Sequence, residues 1–458
     1  MRRTFGRDGA AQVLRAYRYV LNRKASDASE DLRVADILLG QRADPVVVTA
    51  ALLTPAHRRG DLPRADIATR FGAGVAELVA GAARQGPLAA GSDAQRIGDL
   101  RRWLTSISVN VRTLVLRVGL RLSTLERLAE VSPEEAPVEH GKALARETLQ
   151  LYVPLADRMG MGALRTRLED ASFRLLQPSA HAEMERSVAP IRAEDRVCLS
   201  LMEDGVAQML EDHGVEATIQ SRTKGLYSIY RKMRRLDIPL DEVMDRIGLR
   251  LIVPSVEACY HVLGLLHTRF RPVPGTFDDY VGFPKANGYQ SLHTCVYPVP
   301  DVTVKPIEFQ IRTEEMHREA EFGVAAHWLY KDQAEAEAED RRQLERLRKL
   351  LSEGRDSVDV DAFLDRLHRQ VRDERVVVFG GDGRSLRLPA NATVGDVARR
   401  MNQDGTLRQP IAVNGAVREP DYPIRDGDTI QLPSPGQNDG SDDGDALPPS
   451  EPMGQVTP

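Results

Sequence analysis

The chain has 458 residues, 42% of them apolar and 28% charged, with a formal net charge of −5; this length exceeds what one compact core holds and implies about two to four domains. No apolar run reaches the length of a membrane span, and the start, Met1-Arg2-Arg3-Thr4-Phe5-Gly6-Arg7-Asp8, lacks the apolar stretch of a secretory signal, so a cytoplasmic protein without membrane contact is expected. The negative balance argues against generic binding of duplex DNA, and the widely spaced Cys198, Cys259 and Cys295 support neither a disulfide framework nor a thiolate zinc site.

From about Ala10 to Ala193 the pattern is helical, with residues such as Leu144, Leu151, Leu155 and Met159 recurring near helical spacing as an apolar stripe, so residues 1–193 read as an all-helical first domain. Residues 194–331 change character. Helix-like Tyr227 to Leu236 precedes a β-rich run, Ile247 to Val253; helix-like Val256 to Thr268 follows, then strand alternation from Val302 to Arg312, which together make a mixed α/β domain. Lys331 to Gly354 is dense in charge and suits a solvated helix within a linker over residues 332–374. Residues 375–433 read as a small, mostly β unit, with Val376-Val377-Val378-Phe379 and a Gly380-Gly381-Asp382-Gly383 turn. Residues 434–458, rich in Gly, Asp, Ser and Pro, read as a disordered tail.

Chemistry concentrates in the second of these segments. From Asp279 to Thr294 a lysine, an asparagine, tyrosines, a glutamine and a histidine gather around Gly288 and Pro284. Such a loop suits a nucleotide: a base stacks on Tyr289, Lys285 and His293 meet phosphate charge, and Asn287 supplies polar contacts. The same composition also suits a polar surface loop with a packed tyrosine. In Glu308-Phe309-Gln310-Ile311-Arg312, alternation puts Glu308, Gln310 and Arg312 on one strand face. That face lines a cleft or meets water. Asp245 stands at the entrance to the strand 247–253, where a carboxylate can reach a metal or simply end a turn. Arg222, Lys224, Arg231 and Lys232 cluster at a strand-to-helix junction suited to triphosphate oxygens, or to solvent.

Several blocks taken together resemble the long-form RelA/SpoT homologues: Lys224-Gly225-Leu226-Tyr227-Ser228-Ile229-Tyr230-Arg231-Lys232-Met233, the stretch Tyr280 to Thr294, Glu308 to Thr313, and Met316-His317 with Glu321 and Gly323-Val324-Ala325-Ala326-His327-Trp328. In the front segment, Ala145 to Leu149 and Tyr152 to Gly160 are similar to the family's passage from hydrolase to synthetase, and residues 375–433 resemble its TGS domain. The resemblance implies a multidomain fold: an all-α HD-like domain, an α/β nucleotidyltransferase-like synthetase domain and a small β-grasp TGS domain. It implies transfer of pyrophosphate from ATP to the 3′-hydroxyl of GTP or GDP, a Mg²⁺ cofactor, and a role in stringent-response signalling. By position, Asp245 and Glu308 become the acidic pair and metal ligands, with Glu308 activating the 3′-hydroxyl. Tyr289 then stacks on the acceptor guanine, and Lys285, Asn287 and His293 hold its phosphates and ribose with Gln290 assisting. Arg222, Lys224, Ser228 and Lys232 lie on the ATP side. His317 and His327 fit the pattern and read better as structural.

Departures from the family fall mainly in the front segment. Where the family carries its His-Asp pair, this chain reads Ala51-Leu52-Leu53-Thr54-Pro55; the expected acidic pair falls on Arg58-Arg59, the upstream histidine on Glu30, and the later ligand segment on Val118 to Thr124. The only histidines before residue 180 are His57 and His140, too few for a histidine-rich metal site. No hydrolase activity is expected. In the loop Gly275-Thr276-Phe277-Asp278-Asp279, Thr276 replaces a leading glutamate of the synthesis-only members. In the TGS-like unit Arg399-Arg400-Met401-Asn402 and Leu407-Arg408 stand where the family often has histidines, which argues against contact with tRNA or the ribosome. The alternative to a synthetase is a catalytically impaired nucleotide-binding regulator of the same family.

Overall fold

A computed structural model of the chain describes residues 2–22, 28–83, 103, 110–130, 138–240, 243, 246–274, 276–285, 287–297, 306–327, 341, 345, 375–380, 385–389, 392–401, 411–424 and 428–431. The expected tail and nearly all of the expected linker lie outside these residues, as do Asp245, Asn402 and Leu407-Arg408 of the TGS-like unit, and the side chains of His327, Arg399, Arg400 and Met401. The chain divides into two compact units, Met1–Arg372 and Asp373–Pro458.

The first unit begins with α1 (Arg2–Asn22), α2 (Ala28–Gly40), α3 (Pro45–Arg58), α4 (Arg64–Phe71) and α5 (Ala73–Ala83). Asp44 starts α3 by accepting a hydrogen bond from Val47 N at 2.8 Å, with proline in the first turn where no amide is needed. Every residue from Val47 to Ala56 is buried. Such an all-round apolar helix is the pillar of a bundle rather than an amphipathic surface element, and α1, α2 and α5 pack around it. Next come α6 (Val111–Glu130), α7 (Val138–Glu147), α8 (Val153–Arg158) and α9 (Gly162–Leu176), with a wide π turn at Thr148–Tyr152. Leu151, Leu155 and Met159 of the anticipated stripe are buried and Leu144 packs against the same core.

The following helix, α10 (Pro178–Asp212), runs unbroken through the point at residue 193 where the sequence pattern changes. Its second half buries Cys198, Leu199, Met202, Val206, Met209 and Leu210 in the core of the α/β portion. One helix therefore serves both halves of this unit.

The α/β portion is a five-stranded sheet built from β1 (Thr218–Thr223), β2 (Ile247–Val253), β3 (Asp278–Asp279), β4 (Leu292–Val296) and β5 (Ile307–Thr313), in the order β1-β2-β5-β4-β3. Only β2 and β5 run parallel; the other pairs are antiparallel. The helices α11 (Leu226–Leu236), α12 (Val256–Arg269) and α13 (Glu314–Phe322) connect or follow the strands. In β2 every residue but Arg250 is buried, the pattern of a central strand. Ser255 caps α12 and Thr313 caps α13 through their hydroxyls. Leu249, Leu251, Phe309, Ile311, Leu292 and Val296 form one apolar core with α12 and α10. The opposite strand face is polar, and the functional side chains lie on it.

The second unit holds β6 (Arg375–Gly380), β7 (Ser385–Pro389), α14 (Val394–Met401), β8 (Ile411–Val413), β9 (Ala416–Arg418) and β10 (Thr429–Gln431), in the sheet order β7-β6-β10-β8-β9. Asn414 and Gly415 turn the β8–β9 hairpin with positive φ at both residues, as a tight two-residue hairpin requires.

Candidate active site

Register decides which side chains meet. Arg222 on β1 pairs with Gly248 on β2, and Gly248 pairs with Glu308 on β5. The residue between the arginine and the glutamate has no side chain, so the guanidinium can cross over it. Arg222 donates to Glu308 Oε2 at 3.0 Å. A Cβ on Gly248 would come within 2.6 Å of the Glu308 carbonyl oxygen, so glycine also permits this close strand approach.

Two further groups meet Glu308, and a third stands behind one of them. Gln310 Nε2 donates to Oε2 at 3.1 Å, and His293 Nδ1 stands 3.4 Å from Oε1. The other nitrogen of that imidazole, Nε2, shares a hydrogen bond of 2.7 Å with the Tyr289 hydroxyl. Tyr289 and His293 both meet the Tyr280 ring edge-on, and the Lys285 ammonium sits 4.3 Å from the Tyr280 centroid and 5.6 Å from that of Tyr289. Burial raises the Tyr289 phenol above its usual range, against the pull of Arg312 and Arg222, so it stays a neutral donor and acceptor. The arrangement is a carboxylate at the centre of a polar sheet face, an aromatic and cationic loop on one side and an arginine on the other.

The loop owes its shape to its own polar groups. Lys285 N donates to Tyr289 O and Gly288 N to Lys285 O, closing a turn that Gly288 completes at φ 85°. Asn287 Oδ1 accepts from Tyr289 N, Asn287 Nδ2 donates to Asp157 O, and Gln290 Nε2 donates to Val281 O. The amides of Asn287 and Gln290 thus brace the loop backbone. Asp279 accepts from Val281 N, Gly282 N and the Tyr260 hydroxyl. Thr276, which replaces the family's glutamate, donates to Val273 O and accepts from Cys295 N, fastening the loop to β4.

Of the residues expected on the ATP side, Arg222 is at the carboxylate. Lys224 lies just before α11, its backbone N bonded to Arg246 O, and Ser228 and Lys232 follow at four-residue steps on one helical face, both half-buried. Asp170 of α9 caps the start of this helix by accepting from Tyr227 N at 2.9 Å.

Sequence reasoning did not single out Arg250. It faces the same side as Glu308, in register with Gln310, and shares Glu321 of α13 with the fully buried Arg312 at 2.9 and 3.1 Å. His317 is a third partner, 2.8 Å from the Arg312 guanidinium. Burial and the neighbouring Arg312 and Arg250 push His317 down to about 4, and burial with Arg312 brings Arg250 down to about 10. An arginine inside an otherwise apolar strand was the visible signal. His317 is a network residue, in keeping with its expected structural role.

In the helical portion, the two positions where the resemblance calls for an acidic pair carry guanidiniums, and a third, Arg121, lies in the later segment. Arg59 pairs with the buried Asp31 at 3.2 Å, Arg58 donates to Ala82 O, and Arg121 pairs with the buried Glu147 at 3.1 Å and lies 4.4 Å from the Tyr152 centroid. Among the described residues no group of three or more His, Cys, Asp or Glu is placed to hold a metal ion. Among them too, no helix is long and apolar enough to cross a membrane.

Comparison with known proteins places these two regions. Residues 221–335 match the family described as a region found in RelA / SpoT proteins, and residues 10–162 match the HD domain. The chain is 33% identical over 406 residues to a probable guanosine-3′,5′-bis(diphosphate) 3′-pyrophosphohydrolase of Synechocystis sp., covering 87% of this chain and 52% of that protein. It is 33% identical over 442 residues to a GTP pyrophosphokinase of Streptomyces coelicolor, covering 92% and 51%. The chain thus spans about half the length of the curated relatives it matches. A solved small alarmone synthetase 1 of Bacillus subtilis, bound to its product pppGpp, is 27% identical over 38% of this chain and 94% of that one; its TM-score of 0.27 is too low to compare the two in space.

Proposed function

The chain belongs to the RelA/SpoT family, and from that premise we propose that it is a (p)ppGpp synthetase, transferring pyrophosphate from ATP to the 3′-hydroxyl of GTP or GDP, without pyrophosphohydrolase activity. The observation that carries the reading is Glu308, a carboxylate at the middle of a polar sheet face, between an arginine and a loop that offers aromatic faces and a cation.

A ribose hydroxyl is a poor nucleophile until its proton is taken, and Glu308 is the group poised to take it. Tyr289 offers its ring to the guanine, while Lys285 sits where acceptor phosphates would be met. Arg222, Lys224 and Lys232 supply charge for the triphosphate of ATP. Arg222 must let go of Glu308 for the base to work, and the phosphates of the donor are the natural competitor for its guanidinium. A magnesium ion, when bound, would offset the negative charge that gathers on the transferring phosphates. Magnesium needs only one or two carboxylates beside substrate oxygens. Glu308 fits as one; Asp245, assigned to the other by family resemblance, lies outside the described residues.

The loss of hydrolysis is supported by the guanidiniums of Arg58 and Arg59 where the resemblance calls for an acidic pair, since cations oppose a divalent metal, and by Leu120 and Ser123 in the later ligand segment, which offer it no carboxylate or imidazole. The small β unit is read as a TGS domain, and recognition of tRNA or the ribosome is not part of the proposal.

Purified protein incubated with Mg²⁺, γ-labelled ATP and GTP or GDP, beside Glu308→Gln and Tyr289→Ala, tests this reading. Label in a guanosine penta- or tetraphosphate with the unaltered protein alone supports it; no product under varied metal favours the nucleotide-binding regulator. Labelled ppGpp incubated with Mn²⁺ should stay intact.

A further inference from the structure

The loop that carries Lys285 and Tyr289 is fastened to the helical half of its own unit. The Asn287 amide uses both ends. Its oxygen accepts from Tyr289 N at 3.0 Å, and its nitrogen donates at 3.2 Å to the backbone carbonyl of Asp157, 130 residues earlier. The Asp157 carboxylate is in turn paired with Arg165 of α9 at 2.6 Å, which ties this turn to the next helix. The chain just beyond Asp157 is clamped from another side: Val324 N donates to Met159 O at 3.1 Å, and a Cβ on Gly323 would stand 2.0 Å from that oxygen. Residues 157–161 are therefore a fixed point against which the loop is tied.

We propose that Asp157 is a positioning residue for the acceptor nucleotide, its carbonyl holding Asn287 and its carboxylate, through Arg165, holding the turn in place. The proposal deepens the synthetase reading and rests on it for the identity of the acceptor. The physical reason is preorganisation. A loop made of turns must be ordered before a base can stack on it, and one already tied in place binds its ligand with less of that loss. The effect is selective, because the donor-side helix α11 is held to the helical half by a different residue, Asp170. On this view the helical half serves the synthetase site as a scaffold, whatever became of its own chemistry.

The test uses the full chain, unaltered and with Asp157→Ala or Asn287→Asp. The second variant keeps an oxygen for Tyr289 N and replaces only the donor that reaches Asp157. Hydrogen exchange of peptides spanning 285–291 should quicken about tenfold in both variants while β2 and β5 keep their protection. In turnover assays the KM for GTP or GDP should rise about tenfold in both, with the KM for ATP and kcat changed by about twofold or less. Unchanged loop exchange in Asp157→Ala overturns the proposal. So does an acceptor KM that rises in Asn287→Asp alone, which would make Asn287 a direct nucleotide ligand. Should Asp157→Ala fail to fold, Arg165→Gln breaks the same ion pair and is read in its place. If the unaltered chain makes no product, the synthetase reading falls, and the exchange measurement still decides whether Asp157 positions the loop.

Discussion

Arg222 and Glu308 are joined at 3.0 Å across the one residue of β2 that has no side chain, Gly248. The proposed base is thus paired with a cation, and two measurements follow. Glu308→Gln should lower turnover by roughly 1,000-fold with nucleotide binding retained, since general-base removal costs that order of rate. A double-mutant cycle with Arg222→Gln, read by denaturant unfolding, should give a coupling of about 1 kcal/mol or less. The Arg222 side chain is 38% exposed, and solvent screens a pair at such a position.

Two glycines with positive φ should respond differently to alanine. Gly288 (φ 85°) faces open space, so Gly288→Ala should cost about 1 kcal/mol, the backbone strain alone. Gly323 (φ 55°) meets the Met159 carbonyl oxygen at 2.0 Å from its notional Cβ. Because that oxygen is backbone and cannot swing away, Gly323→Ala should cost roughly 3 kcal/mol or more. Urea unfolding of both variants checks the ranking.

His317 should make stability depend on pH. Burial, Arg312 and Arg250 hold it near 4 in the folded chain, against 6.5 as the ordinary value. Between those values the unfolded chain binds a proton that the folded chain does not, so stability is full above pH 6.5 and falls as the pH drops towards 4. At pH 5 the loss relative to pH 7 should be about 1 kcal/mol, because solvent partly screens this half-buried ring. His317→Gln should remove this component, as read from urea midpoints at the two pH values.

Arg121 and Glu147 form a buried pair at 3.1 Å, with side chains 7% and 8% exposed. Burial pushes the Glu147 carboxyl up against the pull of Arg121, so the pair has little net strength to lose and a large penalty if split. Arg121→Met should cost about 3–5 kcal/mol, while Arg121→Met with Glu147→Leu should recover most of it. Thermal melts of the single and double variants, compared with the unaltered protein, check this.

The elements themselves were legible from local pattern. The run Ile247 to Val253 forms β2 over those residues, Tyr227 to Leu236 lies in α11, and the front segment is helical, because apolar spacing and caps act over a few residues. The end of the helical region was less so. Leu199, Met202, Val206 and Met209 keep helical spacing beyond residue 193, yet the core they bury is made by strands that come later in the chain.

The site was legible as residue types and not as contacts. Glu308, Tyr289, His293, Lys285 and Arg222 were all picked out from motifs, but neither composition nor spacing says that Arg222 reaches Glu308 or that Asn287 reaches Asp157. Those facts depend on strand register and on the packing of the helical half against a loop 130 residues away. A period of two or of about 3.6 residues fixes which face a side chain occupies. It carries nothing about which other strand or helix that face will meet. That choice is made by non-local burial, such as the apolar face that β2, β5 and β4 share with α10 and α12, and so only the tertiary structure decided which charges are paired and which loop is held.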